Sequence, residues 1–431
     1  AAFVNGAVVA ILAGLVVSIA AGAAMESSRK DESSRKDGRP PMWVFTMLLY
    51  SYALLIPGIT MILFSFDLNV VFAGNKINLS SVLGKPGAIA ESVLSLAKML
   101  LDTGGVLGAV LLVLYAIVVP VVKLALLGMG EYWRSSKDPG RAHASRTCIG
   151  VVQVISKWAC PDMFAYILVL YLFRDLSRRS SIIGGPSHLD VGFACFSVFC
   201  VCSTFSTLAI APPPEPEGTA AAEKMGPPLA VGLIGVKRVW YIVAGLSVVF
   251  AALMRVGVAL PCMGLRMDTD SLIKPKGPLP ASLKPLIDSL DLSSEVNADV
   301  SLWHCMASLL GWAGGGELNC IFAFIMLAVF VVALAALDML ALAVAAYAMR
   351  DGTTKKASRA LSAARALHHV SMLDVFVMGV VVVCFAGNAY RDKGITFVML
   401  PGLLVLLFAE AYHHVAYHLV MGTADYVAQA E

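Results

Sequence analysis

The feature that most constrains this 431-residue chain is a succession of apolar segments, each close in length to what a helix needs to cross a bilayer. Such a helix needs about 20 predominantly apolar residues. Hydrophobic residues make up 58% of the chain and charged residues only 14%, which leaves too little polar surface for a soluble protein of this size. The sequence therefore predicts an all-α, multi-pass membrane protein. Nine candidate segments lie near 3–24, 44–65, 105–130, 160–176, 190–211, 239–263, 318–349, 371–390 and 395–421.

Polar stretches divide these segments into blocks. Residues 1–24 are rich in alanine and glycine, and they are interpreted as either an additional N-terminal span or a signal segment. Residues 25–43 contain the unit ESSRKD twice and are predicted to be a solvated linker, and the proline-rich residues 212–238 are predicted to be a second linker. The remaining regions are two tandem four-helix transmembrane repeats and a short tail, at 44–211, 239–421 and 422–431.

The distribution of lysine and arginine predicts an orientation. Eighteen basic residues lie in loops 25–43, 131–158, 212–238 and 350–369, whereas the loops on the other side, which are longer in total, carry 12. Because cytoplasmic loops are enriched in basic residues, we expect the first set of loops and the C-terminus to face the cytosol or its organellar equivalent. The membrane is predicted to be a bacterial-type inner membrane or an organelle membrane. A net charge of +3 does not indicate binding to nucleic acid.

The two blocks open in the same way. Each begins with a span that carries a proline, Pro57 in the first block and Pro261 in the second. A long outer loop follows, and it ends in an amphipathic stretch, Ser92–Leu101 or Val300–Leu310, just before a group of glycines. The apolar spacing in these stretches predicts helices that lie along the membrane surface or against the bundle. The leucines expected on the apolar side are Leu94, Leu101, Leu302 and Leu309.

Each block then has a long span with one charge near its middle, Lys123 in the first and Asp338 in the second. A charge at the centre of a span costs about 2.5–3.5 kcal/mol, so such residues usually pair or line a wet cavity. If the blocks pack about a pseudo-two-fold axis, Lys123 and Asp338 approach one another. They are then either part of a polar transport path or a structural ion pair, and a lysine that reaches towards the interface is a further alternative.

Other ionisable residues lie at or within the spans. Asp162 and Asp374 are near the beginnings of equivalent spans, where a carboxylate can cap free N–H groups and interact with the positive end of the helix dipole. We therefore interpret each as a cap, a pathway residue, or both. Arg255 and Glu410 are weaker pathway candidates, and their alternative roles are structural pairing or a position near the interface.

Proline and histidine patterns suggest further roles. Pro57, Pro120 and Pro261 are predicted to bend their helices, and such bends can shape a cavity. His414 and His418 are spaced i, i+4, which places both on one helical face, a spacing that can hold a metal ion. The neighbouring tyrosines are more typical of an interfacial anchor, so no metal site is predicted.

The sequence contains no catalytic motif of a hydrolase, a metalloprotease, a nucleotide-binding enzyme or a dehydrogenase, so the protein is predicted not to be an enzyme and to need no cofactor. Nine cysteines are present, but there is no CxxC pair. Most of them lie within apolar segments, where cysteine behaves as a small hydrophobic residue. The CxC formed by Cys200 and Cys202 is interpreted in the same way.

Two motifs recur in order along the chain. Pro120 and Lys123 form a P-x-x-K motif in a long span, residues 157–162 read KWACPD at the start of the next span, and residues 371–374 read SMLD in the second block. This pattern resembles the paraquat-inducible protein A family over roughly residues 44–421. The resemblance implies an integral membrane subunit that works with an MCE-domain partner in lipid transport across a cell envelope.

The chain differs from that pattern in lacking the CxxC-based zinc ribbons that usually precede each block. The expected function is a membrane transport subunit that moves lipid between the membrane and an MCE-type partner. The first alternative is an ion- or proton-coupled transporter or channel for a small solute. The second alternative is a scaffold that anchors a partner without transporting anything.

Overall fold

In the computed structural model, helices account for most of the described chain. Nine helical segments of the described chain are long and apolar enough to cross a membrane, which confirms a multi-pass membrane protein. Two of them, Pro139–Arg178 and Ser358–Gly387, each include two of the helices named below. Residues 29–39, which contain most of the ESSRKD linker, and residues 214–231 of the proline-rich linker lie outside the described part. The structure describes residues 2–28, 40–66, 69–72, 75–78, 89–136, 138–179, 183–184, 187–213, 232, 235–267, 297–351, 354, 357–387, 391 and 395–430.

The first part of the chain forms helices α1 to α7. Helix α4 includes a π-helical stretch at Leu114–Val118, and a short 3₁₀ turn at Ser156–Ala159 leads from α5 into α6. Pro139 and Pro161 are the first residues of α5 and α6, where a missing N–H removes no helical hydrogen bond. The helices are α1 (Ala2–Ser28), α2 (Met42–Thr60), α3 (Val93–Asp102), α4 (Val106–Trp133), α5 (Pro139–Ile155), α6 (Pro161–Arg179) and α7 (Val191–Ala209).

The second part forms helices α8 to α13 in a matching order. Helix α10 also contains a π-helical stretch, Met326–Ala333, although no proline lies in it. The last helix continues to Ala430, so most of the predicted tail is helical. The helices are α8 (Val236–Ala259), α9 (Leu302–Gly314), α10 (Leu318–Asp351), α11 (Ser358–Val370), α12 (Leu373–Gly387) and α13 (Pro401–Ala430).

Short antiparallel sheets join the helices at one end of the bundle. In two of them the central strand is the one that follows the first span of its block: β1, after α2, in the order β4-β1-β6, and β7, after α8, in the order β8-β7-β9. A third sheet has the order β3-β2-β5. Open sheet edges leave backbone groups unpaired, which hydrocarbon cannot satisfy, so this end lies outside the membrane core. The strands are β1 (Phe64–Phe66), β2 (Asn69–Phe72), β3 (Asn75–Asn78), β4 (Ile89–Glu91), β5 (Ile183–Gly184), β6 (Ser187–Leu189), β7 (Pro261–Met267), β8 (Ala298–Ser301) and β9 (Ile395–Met399).

Glycines allow the first and last spans of each block to approach closely at this end. A Cβ at Gly192, near the start of α7, would lie 2.6 Å from the carbonyl oxygen of Ile62. A Cβ at Gly402, near the start of α13, would lie 2.5 Å from the carbonyl oxygen of Leu260. Both neighbours are backbone atoms just after the first span, so neither can move away cheaply. A side chain at either glycine would therefore separate the two spans.

Helices α6, α7 and α12 form the buried centre of the bundle. The other long helices expose large apolar side chains such as Leu49, Val248 and Leu404 on the outside. In water these side chains would form an unfavourable apolar surface, whereas lipid chains accommodate them. The bundle thus has the arrangement expected of a protein whose outer helices contact lipid.

Two regions predicted as loops contain helices. Helix α5 lies within residues 131–158 and folds back on α4, where the Ser145 hydroxyl donates to the carbonyl oxygen of Gly130 at 2.6 Å. Helix α11 lies within residues 350–369 and packs on α10. Both helices carry several polar residues, which lowers their average hydrophobicity and makes them resemble loops in a hydropathy reading.

The amphipathic outer stretches are helical, as predicted, but their buried faces are only partly as expected. In α3 the buried side chains are Val93, Ala97 and Leu100, whereas Leu94 and Leu101 are exposed on the protein surface. In α9 the expected Leu302 and Leu309 are both buried. The Ser92 hydroxyl accepts from the N–H of Ser95 and so caps the start of α3.

Of the three prolines predicted to bend helices, two lie in helices. Pro57 is inside α2, beside Gly58, whose close approach to Phe196 joins α2 to α7. Pro120 follows the π-helical stretch of α4, and its carbonyl oxygen accepts a hydrogen bond from the Tyr52 hydroxyl at 3.0 Å. The prediction for Pro261 is wrong, because it is the first residue of strand β7 and lies after the end of α8.

Candidate functional site

A buried polar cluster surrounds Lys123 in the first half of the bundle. The Nζ atom of Lys123 donates to the hydroxyl oxygens of Ser156, in the turn before α6, at 2.7 Å and of Ser203, in α7, at 3.1 Å. The hydroxyls of Ser156 and Thr207 are in turn 2.7 Å apart. Lys123 is fully buried, and no carboxylate of a described residue forms an ion pair with it. We call Lys123, Ser156, Ser203 and Thr207 the lysine cluster.

A second buried cluster surrounds Asp338 in the other half. The Oδ2 atom of Asp338 lies 2.8 Å from Nε2 of His413, in α13, and 3.3 Å from Nδ1 of His368, near the end of α11. The Oε2 atom of Glu410 lies 3.3 Å from the other ring nitrogen of His413. Asp338 and His413 are fully buried. We call Asp338, His368, His413 and Glu410 the aspartate–histidine cluster.

The partners of the two charges have equal sequence spacings in the two halves. Ser156 lies six residues before Asp162, and His368 lies six residues before Asp374. Ser203 follows the close-approach glycine of α7 by 11 residues, and His413 follows that of α13 by the same number. In the first half two serine hydroxyls therefore accept hydrogen bonds from the Lys123 amino group, whereas in the second half two imidazoles lie beside the Asp338 carboxylate.

The predicted approach of Lys123 to Asp338 is not observed. Each charge is instead stabilised within its own half, by the lysine cluster or by the aspartate–histidine cluster. The physical reason is that the segment before the central span and the last span of each half supply polar groups to the buried charge, Ser156 and Ser203 to Lys123 and His368 and His413 to Asp338. Each charge thus has partners without an ion pair between the halves.

Within the part of the chain that the structure describes, Asp162 does not make the capping contact that was one of its predicted roles. Its side chain is fully buried at the start of α6, and neither carboxylate oxygen has a hydrogen-bond partner within the described residues. The expected capping contact is thus absent there. Tyr166, one helical turn later, also has a buried hydroxyl without a partner in the same part of the structure. Cys200 lies within electrostatic range of both Asp162 and Lys123, which places Asp162 in the neighbourhood of the lysine cluster.

Asp374 connects the two halves. Its Oδ2 atom forms an ion pair with Nζ of Lys157 at 2.8 Å, and its Oδ1 atom accepts from the N–H of Val375. Lys157 belongs to the turn before α6, whereas Asp374 is in α12, so one motif of the first half meets the matching motif of the second. The Asp374 carboxylate therefore interacts with the first turn of its own helix, as predicted, and also pairs across the halves.

A second ion pair joins the halves near the other end of α6. Nη2 of Arg174 lies 2.6 Å from Oε2 of Glu317, at the start of α10, and the guanidinium lies 4.5 Å above the ring of Trp312. Because Arg174 is buried in this contact, it acts as a structural charge between the halves.

The remaining candidates lie in less enclosed surroundings. Arg255 is exposed on α8, four residues before its end, and forms no ion pair within the described chain. His414 and His418 are exposed on α13, and their Nε2 atoms are 2.9 Å apart. The His414 ring lies 5.7 Å from the His368 ring, so the exposed pair adjoins the aspartate–histidine cluster.

Sequence reasoning found both central charges but missed most of their partners. Ser156, Ser203 and Thr207 are common helix-compatible residues in an apolar setting, and of the histidines in the last span only His414 and His418 were singled out, for their spacing. Two signals were available in hindsight. One was the equal spacing of Ser156 and His368 from the aspartates that follow them. The other was the clustering of histidines on the last span.

Comparison with known proteins adds no identification. A scan against protein-family models gives no match, and neither the curated proteins nor the solved structures contain a match to this chain.

Proposed function

We propose that this protein is a membrane transport protein in which buried ionisable residues take part in the transport step. The observation that carries the proposal is the complete burial of Lys123 and Asp338 within candidate spans, each among polar side chains of other helices. Ionisable groups inside a span are costly and commonly serve the movement of ions, protons or substrates. A purely structural bundle would be more simply stabilised by apolar residues at these positions.

We infer that the two halves derive from an internal duplication. Three features support this inference: the same order of helices in both halves, with a central sheet strand after the first span of each; the π-helical stretch in each long span; and the close-approach glycines of α7 and α13. Transporters are frequently built from repeats, and their substrate sites lie near the interface between the repeats. The matched lysine and aspartate–histidine clusters then represent the same site, diverged to opposite charge.

The proposed cargo is a lipid, handed to or taken from an MCE-domain partner. The family resemblance is the basis of this part, and the places of its motif residues support it. Lys123 is the centre of a buried cluster, Asp162 is a buried carboxylate, and Lys157 pairs with Asp374 between the halves. Motif residues at such positions are better explained by a shared mechanism than by chance similarity between apolar segments.

A second candidate is ion- or proton-coupled transport of a small solute, and Asp162 favours it. A buried carboxylate without a hydrogen-bond partner among the described residues is costly when charged, so it tends to take up a proton or a cation. Coupling ions are carried by such groups in many transporters. Lipid transport can also use coupling of this kind, so the two candidates differ in cargo.

Reconstitution tests both candidates. Purified protein is placed in liposomes that contain a fluorescent phospholipid, and the movement of that lipid between leaflets and to acceptor vesicles is followed. Parallel liposomes contain a pH-sensitive dye to report proton flux. We expect Lys123→Met and Asp338→Asn to reduce lipid movement at least tenfold, whereas Lys98→Ala, an exposed lysine of α3, is the matched control.

The outcomes separate the hypotheses. Lipid movement that depends on Lys123 and Asp338 supports the proposal. Proton flux that is lost in Asp162→Asn, without any lipid movement in the unmodified protein, favours the solute transporter. The scaffold is favoured if no sample shows transport activity and if the variants at Lys123, Asp338 and Asp162 fold and bind the partner as the unmodified protein does.

A further inference from the structure

We propose that Asp338, His368 and His413 form a binding site for a single divalent transition-metal ion, with Zn²⁺ as the first ion to test. The proposal concerns a ligand of the protein and does not depend on the transport function. One carboxylate oxygen and two imidazole nitrogens are a donor set that such ions prefer. One ligand atom from each of the three residues lies within 4.8 Å of the other two.

The distances suit an ion after small side-chain rotations. Zinc binds imidazole nitrogen and carboxylate oxygen at about 2.0–2.2 Å, so two ligand atoms of a tetrahedral ion lie about 3.4 Å apart. The contacts from Asp338 Oδ2 are 2.8 Å to His413 and 3.3 Å to His368, and the largest separation in the set is below 4.8 Å. Each side chain therefore has to move by only about one ångström.

The cluster also contains unused ligand atoms. Oδ1 of Asp338 and Nδ1 of His368 are buried, and neither has a hydrogen-bond partner among the residues that the structure describes. The carboxylate belongs to a fully buried side chain within a span. A buried polar atom without a partner is destabilising, and coordination of an ion by these atoms removes that cost.

Neighbouring residues hold the imidazoles in the orientation that metal ligands need. Glu410 contacts the Nδ1 atom of His413 at 3.3 Å, while the Nε2 atom of that ring faces Asp338. The ring of Tyr417 stacks on His368, with 3.8 Å between centroids and 12° between planes. A carboxylate on the far nitrogen of a ligating histidine is the usual outer partner in metal sites, where it fixes the ring and raises its basicity.

Exposed histidines provide a route from the surface. His414 and His418 have Nε2 atoms 2.9 Å apart on the outside of α13, and the His414 ring lies 5.7 Å from the His368 ring. An ion captured by this pair can pass to His368 and then to the buried carboxylate. Three protein ligands leave a fourth position for water or a transported group, as in zinc sites that are not purely structural.

The simpler explanation is that the two imidazoles only hydrogen-bond the buried carboxylate. In that case the cluster binds a proton and excludes ions, and metal binding would be restricted to the exposed pair. The two explanations differ in the number of ions bound and in which histidines matter. A direct metal titration therefore decides between them.

The experiment uses the full chain, purified in detergent without a histidine tag and stripped with a chelator. Zn²⁺ is titrated by calorimetry in the presence of excess Mg²⁺, and Co²⁺ is added separately to follow its visible absorption. We expect one tight site per chain and a tetrahedral Co²⁺ spectrum. His368→Ala and Asp338→Asn should abolish that site, and Glu410→Gln should weaken binding about 10–100-fold.

Two control variants locate the ion. His143→Ala removes an exposed histidine of α5 and should leave binding unchanged. The double variant His414→Ala/His418→Ala should keep the tight site, with slower uptake. If Asp338→Asn does not fold, the loss of zinc binding in His368→Ala is the deciding measurement. The His368 side chain is partly exposed and therefore less essential to packing. The proposal is overturned if the unmodified protein binds no Zn²⁺, or if only the exposed double variant loses it.

Discussion

Lys157 and Asp374 form an ion pair of 2.8 Å that links the turn before α6 to the start of α12. The two helices cross at this point, and their rings Phe164 and Phe376 meet edge to face with centroids 5.8 Å apart. One motif segment from each half thus contributes to a contact between the halves. Together with the ion pair of Arg174 and Glu317 near the far end of α6, this contact helps to dock the halves.

The first prediction concerns that docking. Lys157→Ala or Asp374→Ala should destabilise the protein by about 1–2 kcal/mol, because each leaves a partly buried charge without its partner. The charge reversal Lys157→Asp/Asp374→Lys should recover part of the loss. The measurement is unfolding in mixed detergent micelles by titration with SDS. Single variants as stable as the parent protein would show that the ion pair contributes nothing to docking.

The second prediction concerns the two central charges. Since Lys123 and Asp338 have separate partners, the effects of Lys123→Leu and Asp338→Leu on the free energy of unfolding should add, with a coupling energy below about 0.5 kcal/mol. Lys123→Leu and Ser203→Ala should instead show a larger coupling, because these residues share a hydrogen bond. A large coupling between the two charges would mean that they meet after all.

The third prediction uses a glycine at the crossing of the halves. A Cβ at Gly379 would lie 2.6 Å from the carbonyl oxygen of Pro161, which is backbone and cannot easily move. Gly379→Ala should therefore destabilise the protein by about 1–3 kcal/mol. Gly245→Ala in α8 is the matched control, because no atom lies within 4 Å of its added Cβ. There alanine should be neutral or slightly stabilising, since it favours helix formation. Equal effects at both positions would contradict the close crossing.

The fourth prediction concerns membrane sidedness. Cysteines introduced at Ser136 and Ser358 should react with an impermeant thiol reagent from one side of the membrane, and a cysteine at Thr103 from the other. Native thiols should interfere little, since eight of the nine are buried and burial raises the pKa of Cys262 to about 12. The positive-inside pattern predicts that Ser136 and Ser358 face the cytosol. Labelling of all three from the same side would refute this arrangement.

The sequence by itself determined the nine candidate spans and the two charges within the long spans. These features depend on local composition: an apolar run of about 20 residues is helical in a membrane whatever its neighbours are, because its backbone groups must be paired within the segment. The amphipathic helices α3 and α9 were predictable for a related reason, since their apolar residues follow the helical period. The less apolar helices α5 and α11 were not predicted, because their hydropathy alone does not identify them. They are stabilised by packing against α4 and α10.

Only the tertiary structure decided which groups surround each charge. The partners of Lys123 lie 33 and 80 residues away along the chain, and those of Asp338 lie 30 (338 to 368) and 75 residues away. At such separations no periodicity links the residues, so their meeting depends on how the spans cross. The pattern of matching charges suggested a pair between the halves, but each charge contacts polar side chains of its own half. The halves are joined instead by the ion pairs of Lys157 with Asp374 and of Arg174 with Glu317, among other contacts, and α6 crosses α12 closely at Gly379.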